Sequence, residues 1–151
     1  GPKEIIEQIN RLNVNMESCT THFVQYAGLA GLNAPKKETQ DILDVLKIRR
    51  DLLVNILNEI NGIETHVPEA GFYVFPKISE LLKMTGFDSV ENFRKVVLKE
   101  TGVSFCGRHH FGRPLENETD YYIRLAFSGI TKNDLDEGMN LFKKWIESNT
   151  K

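Results

Sequence analysis

Cysteine is nearly absent, with Cys19 and Cys106 the only two in 151 residues. They lie far apart in sequence and offer no disulfide framework, so a packed core must hold the fold. Long apolar runs are missing too. None approaches 18 residues, and no basic segment leads into a signal-like apolar stretch. The expectation is a chain that neither spans a membrane nor is secreted, in a reducing, cytoplasmic setting. Charge of one sign is not in excess. The net charge of -2 lacks the basic balance that phosphate backbones normally demand, so nucleic acid is not an expected partner. Repeats and low-complexity segments are also lacking. What remains is an ordinary globular composition in a chain long enough to bury about 70% of its extended surface.

The stretch Tyr121-Tyr122-Ile123-Arg124-Leu125-Ala126-Phe127-Ser128-Gly129-Ile130 places one guanidinium in the middle of an otherwise apolar strand. Strand faces alternate, so Ile123, Leu125 and Phe127 share the core side while Tyr122, Arg124, Ala126 and Ser128 share the other. A guanidinium is planar, permanently protonated and carries a donor fork matched to a carboxylate. Arg124 is therefore a candidate carboxylate receptor. A charge on an exposed strand face can also serve only to discourage edge-to-edge pairing.

Patterning elsewhere predicts an α+β fold, a small, mainly antiparallel sheet of three to four strands covered by helices. Ile5, Ile6, Ile9 and Leu12 form the stripe of a first helix over 3–12, which Asn13 to Asn15 should break. Ser18 is placed to cap a second helix over 19–32. Gly28 and Gly31 each weaken that helix by about 1 kcal/mol relative to alanine and point to close packing against another backbone. After the linker Asn33-Ala34-Pro35, residues 37–60 carry the strongest helical period, through Ile42, Leu46, Leu53, Ile56, Leu57 and Ile60. Asn61-Gly62 should end it. At 1.5 Å per residue that rod is roughly 36 Å long.

Residues 64–67 and 72–75 read as two strands joined by the turn Pro68-Glu69-Ala70-Gly71. A short helix over 78–84 stops at Gly86. Asp88 and Glu91 make a capping-box pattern for the next helix, which Gly102 closes. A third short strand over 103–106, a polar loop over 107–119 and the arginine strand follow. The last helix, capped by Thr131 and Asp134, carries Leu135, Met139, Phe142, Trp145 and Ile146 on one stripe.

In that order, Val67-Pro68-Glu69-Ala70-Gly71-Phe72-Tyr73-Val74-Phe75-Pro76, Gly102-Val103-Ser104-Phe105-Cys106, His110-Phe111-Gly112 and the arginine strand resemble the C-terminal part of class I/II aminotransferases. These are the fold-type I enzymes that depend on pyridoxal phosphate (PLP). The resemblance begins near Lys3 and includes Phe23-Val24-Gln25-Tyr26-Ala27 and the Arg49-Arg50-Asp51-Leu52-Leu53 helix. It implies that the helix over 37–60 is a long interdomain helix, that Arg124 binds the substrate α-carboxylate, and that Phe111 lines the substrate pocket. It also implies that the Schiff-base lysine, the acid facing the pyridine nitrogen, the stacking ring and the phosphate-binding residues belong to a larger, preceding domain. No residue here then has a catalytic or cofactor-binding role, and no PLP is expected on this piece alone. In one place the chain departs from the pattern. Gly107-Arg108 stands where the family carries Pro-Gly before Phe-Gly, which puts the conformation of that loop in question.

Gly1-Pro2, without an initiator methionine, reads as the scar of a removed expression tag. The organisation expected is a scar at 1–2, a helical segment at 3–62 and a small α+β unit at 63–151. Residues 3–151 are treated as one domain, excised from a longer enzyme. For that parent the resemblance implies a homodimer that transfers an amino group between an amino acid and a 2-oxo acid, the piece itself being inactive. An amino-acid lyase, or a freestanding ligand- or metal-binding interaction module, are the alternatives. No metal site is expected. Cys106, His109 and His110 share a loop and Cys19 with His22 repeats a C-x-x-H spacing, yet nothing around them looks like a zinc ribbon or finger. Arg49-Arg50-Asp51 reads as a solvated helix face, Gln25 and Tyr26 as packing near a domain junction, and His66 as a surface residue. The S-x-x-K spelled by Ser148 to Lys151 reads as a frayed end.

Overall fold

The computed structural model describes residues 1–150 apart from Ser18 and Pro114. The expected Ser18 cap and the lysine of S-x-x-K therefore lie outside the described residues. The chain divides into two compact units, Gly1–Gln40 and Asp41–Lys151.

The first unit contains helices α1 (Lys3–Met16) and α2 (His22–Leu32) and the start of α3 (Lys36–Asn58). Asn13 to Asn15 do not break α1. The Asn15 side-chain amide donates to the Arg11 carbonyl at 2.8 Å and the Glu17 N–H to the Asn13 carbonyl at 2.8 Å, which closes the last turn. Helix α2 starts later than expected, after Thr21, and a Cβ added at Gly28 or Gly31 would meet nothing within 4 Å. These glycines accommodate no neighbouring backbone among the described residues.

Neither α1 nor α2 contains a buried residue, and Ile5, Leu12, Phe23 and Leu29 are all more than half exposed. Helices of this length gain most of their stability from packing an apolar face. Amides of residues 3–32 are therefore expected to exchange through openings of lower free energy than those of residues 72–75 and 121–127. Native-state hydrogen exchange measures this. Equal protection in both regions would contradict it.

The second unit is built on a three-stranded antiparallel sheet of β1 (Tyr73–Val74), β2 (Cys106–Gly107) and β3 (Ile123–Ala126), in the order β1-β3-β2. The antiparallel α+β expectation holds, with one local pairing corrected. Residues 64–67 form no hairpin with 72–75. Glu64 makes only an isolated bridge to Lys77, while β1 pairs with β3 through Tyr73–Ala126 and Val74–Leu125. This register buries Val74 beside Leu125, and pairing that covers an apolar face outweighs a local turn signal. Strand β2 also begins at Cys106, not at residue 103.

Alternation along β3 follows the sequence reading. Ile123, Leu125 and Phe127 are buried, whereas Tyr122 and Arg124 are half-buried and Ala126 and Ser128 exposed. Beneath the sheet, α3 contributes Leu53, Val54, Ile56 and Leu57 to the core. Helix α4 (Ser79–Thr85) contributes Leu81 and Leu82 and ends at Gly86. Helix α5 (Val90–Thr101) contributes Val90, Phe93 and Val97. Its cap is Ser89, not Asp88. The Ser89 hydroxyl accepts from the Asn92 N–H at 3.2 Å, and the Asp88 carboxylate takes the Asn92 side-chain amide at 2.9 Å. Helix α6 (Lys132–Asn149) is capped by Thr131, as the sequence predicts, and buries Leu135, Met139, Phe142 and Ile146.

Candidate carboxylate site

The outward face of the sheet carries the site. In the β1–β3 register Phe75 comes alongside Arg124, with Tyr73 and Tyr122 as diagonal neighbours on the same face. On the other edge Cys106 of β2 pairs with Arg124. The ring of Tyr73 lies 4.1 Å from the Arg124 Cζ and the ring of Phe111 lies 4.3 Å from it. Phe75 stacks on Tyr122 with centroids 5.4 Å apart and meets Phe111 edge-on at 6.4 Å. One guanidinium is thus set among four aromatic side chains, and each cation–π contact at a partly exposed site is worth about 0.5–1 kcal/mol.

Among the described residues Arg124 makes no ion pair with a carboxylate. A partly buried guanidinium with rings against it and no internal acid has N–H donors not taken up by a carboxylate of the described residues. A planar carboxylate is the anion that the guanidinium fork matches bidentately.

Phe111 reaches this face from a 3-10 turn, Arg108–Phe111, directly after β2. A Cβ at Gly107 would fall 2.9 Å from the His109 ring and 3.0 Å from a Val90 methyl, so a larger residue there would push those side chains aside. Gly112, at φ 117, closes the turn in a backbone region that suits glycine. The loop expected over 107–119 therefore has internal structure.

The Cys106, His109 and His110 grouping is not what the fold assembles. Among the described residues, the side chains whose ligand atoms come within 4.8 Å of one another are Glu91, His109 and His110. Arg94 forks onto the Glu91 carboxylate at 2.9 and 2.8 Å, and Lys95 lies 3.4 Å away. The Arg94 hydrogen bonds hold the Glu91 carboxyl down to about 2, and this carboxylate is already occupied by cations.

The Arg49-Arg50-Asp51 stretch is not simply solvated. Arg49 donates from Nη1 to the Ser128 carbonyl at 2.7 Å, just beyond β3, while Arg50 pairs with Asp51 at 2.7 Å and reaches the Pro68 carbonyl at 3.3 Å. Gln25 bonds the Thr20 carbonyl at 2.8 Å, Tyr26 meets His22 edge-on, and His66 is exposed. Tyr73 and Phe75 are the members of the site that the sequence does not bring to Arg124, whereas alternation along the arginine strand already puts Tyr122 on its face. Alternation in Phe72-Tyr73-Val74-Phe75 already puts Tyr73 and Phe75 on the side opposite Val74. The missing step was the pairing of that strand with the arginine strand.

The side chains around Arg124 fit a carboxylate. They do not fit PLP, which takes an amine, an acid for its ring nitrogen and a phosphate cradle, because the neighbours on this face are aromatic rings, Ala126 and Cys106.

Solved structures similar to this chain include aminotransferases. The alanine aminotransferase from Pyrococcus furiosus superposes on 96% of this chain with a TM-score of 0.81 and 32% identity, and 34% of that structure is covered. The aspartate aminotransferase from Rhizobium meliloti superposes on 100% of it with a TM-score of 0.78, covering 37% of that structure at 23% identity, which bears on the fold alone. In sequence, the aspartate aminotransferase of Sulfurisphaera tokodaii is 31% identical over 145 residues, 96% of this chain and 35% of that protein. The LL-diaminopimelate aminotransferase of Halothermothrix orenii is 31% identical over 143 residues, 95% of this chain and 34% of that protein. No protein-family model matches. By sequence and fold the chain belongs to the class I/II, fold-type I aminotransferases, whose chemistry depends on PLP. It corresponds to their C-terminal domain and spans about a third of the length of the relatives it matches.

Proposed function

We propose that this chain is the carboxylate-holding domain of a longer PLP-dependent aminotransferase, which moves an amino group between an amino acid and a 2-oxo acid. The observation that carries the reading is Arg124, half-buried between the Tyr73 and Phe111 rings with no acidic partner among the described residues. In both half-reactions the fork of Arg124 holds the α-carboxylate. Fixing that group orients the Cα–H bond for proton removal, a contribution through positioning. Phe111 lines the pocket beside it. PLP and the lysine that moves the proton belong to the part of the enzyme outside this chain, so the domain by itself is inactive. The whole enzyme works in the cytoplasm as a homodimer.

Arg124→Lys in the longer aminotransferase tests the reading. Lysine keeps the charge and loses the planar fork, so kcat/KM is expected to fall at least about tenfold, equivalent to about 1.4 kcal/mol of transition-state stabilisation. A denaturant melt of this chain carrying the same change should hardly move. Intact turnover together with a stability loss of several kcal/mol would make Arg124 a structural residue and defeat the proposal.

A further inference from the structure

We infer that Arg108 is a positioning residue for the carboxylate site, its guanidinium latching the 107–119 loop so that Phe111 stays against Arg124. The inference rests on the reading of Arg124 as the carboxylate receptor. Arg108 opens the 3-10 turn whose last residue is Phe111. Its side chain then reaches forward along the loop. Nε pairs with a Glu118 carboxylate oxygen at 2.9 Å, Nη1 donates to the Gly112 carbonyl at 3.3 Å, and Nη2 donates to the Arg113 carbonyl at 3.4 Å. The second Glu118 oxygen accepts the Leu115 N–H at 3.1 Å, and the Glu118 N–H returns to the Leu115 carbonyl at 3.0 Å. One guanidinium and one carboxylate therefore tie residues 108, 112, 113, 115 and 118 together.

Beyond the 3-10 turn this segment contains no helix or strand among its described residues, and a loop of that length has no other regular hydrogen bonding to fix it. The pair is not a loose surface contact. The Arg108 and Glu118 side chains are only 25% and 16% exposed. Shielding of this kind preserves charge-assisted hydrogen bonds that open water would weaken. Arg108, Glu118 and Leu115 line a hollow whose other wall includes Phe75 and Tyr122, the stacked pair beside Arg124. The latch therefore borders the aromatic face that receives Phe111. Arg108 thus supplies the loop's restraint by side-chain bonds.

A residue that merely stabilised the loop would change melting and leave substrate binding alone. A positioning residue changes KM. In the longer aminotransferase, assayed with L-aspartate or L-alanine as donor, Arg108→Ala is expected to raise KM about three- to tenfold with kcat within about twofold, since the Arg124 fork that orients the carboxylate is kept and only the Phe111 wall beside it loosens. Glu118→Gln keeps the shape and removes the charge. It should shift KM in the same direction by less, and it reads out the latch if Arg108→Ala does not fold. Phe111→Leu should raise KM as well, and the Arg108→Ala, Phe111→Leu double variant should be no worse than Phe111→Leu, because both act through one contact. Unchanged KM in both Arg108→Ala and Glu118→Gln, or additive effects in the double variant, overturns the inference. If Arg124→Lys also leaves the kinetics intact, the underlying reading has failed. A raised KM in Arg124→Lys without one in Arg108→Ala defeats the latch only.

Discussion

Truncation of Phe93 to alanine is expected to destabilise the Asp41–Lys151 unit by about 3–5 kcal/mol, a large share of the roughly 5–15 kcal/mol available to a domain. Phe93 is fully buried on α5, and its ring centroid lies 5.4 Å from Phe87, 5.8 Å from Phe105, 6.0 Å from Trp145 and 6.4 Å from Phe142. These neighbours sit on separate pieces of chain. Phe87 precedes α5, Phe105 precedes β2, and Phe142 and Trp145 are on α6. No single side chain can swing into the space left behind, so the cavity persists and its cost adds to the lost burial. The site would feel the loss as well. Phe105 is followed by Cys106, the residue that pairs with Arg124. Urea unfolding of the variant measures the effect as a lower midpoint at an unchanged slope. A loss below about 1 kcal/mol would show that the aromatic cluster closes over the gap.

Most of the second unit was legible because its signals are local. Period-two alternation sorted Ile123, Leu125 and Phe127 from Arg124, and Gly86, Gly102 and Thr131 marked helix ends where the structure has them. What could not be read was pairing between distant segments. The turn at Pro68 to Gly71 favours a hairpin on local grounds, yet the buried side of Val74 is satisfied only by β3, some fifty residues later. Once that pairing is missed, Tyr73 and Phe75 look like ordinary strand aromatics and not neighbours of a guanidinium. The Arg108 latch was hidden for a related reason. Its partner Glu118 and the carbonyls of Gly112 and Arg113 are local in sequence, but no periodicity describes a side chain that stitches an irregular loop. Asn13 to Asn15 failed in the opposite sense. Asparagine is a poor helix former, but the Asn15 amide bonds the Arg11 carbonyl on the preceding turn, and α1 continues past the expected break.

Replacing Gly62 by alanine, in the turn four residues beyond the last residue of α3, is expected to cost about 2–4 kcal/mol, more than the same change at Gly86 or Gly102, the left-handed glycines that cap α4 and α5. Gly62 has φ 85, and Gly86 and Gly102 each have φ 74, so all three ask an alanine to adopt a conformation that costs it about 1–2 kcal/mol. The surroundings separate them. A Cβ at Gly86 or Gly102 would meet nothing within 4 Å, whereas at Gly62 it would fall 2.8 Å from the Leu81 nitrogen and 3.0 Å from the Leu81 Cα. Those atoms are helix backbone. They cannot rotate aside, and Leu81 is fully buried with its N–H bonded to the Gly62 carbonyl at 3.1 Å. The third close atom, the sulfur of Met84 at 3.0 Å, is the end of a flexible side chain and can move. Relief therefore requires α4 to shift away from the end of α3. That shift strains the Glu64–Lys77 bridge and, through the Lys77–Tyr122 bridge, the strand that holds Arg124. Parallel urea melts of the three variants isolate the clash from the shared conformational cost, with Gly86→Ala and Gly102→Ala each losing about 1 kcal/mol. If Gly62→Ala loses no more than those two, the α3–α4 junction is loose enough to absorb a methyl group, and the close packing seen there does not hold the sheet in place.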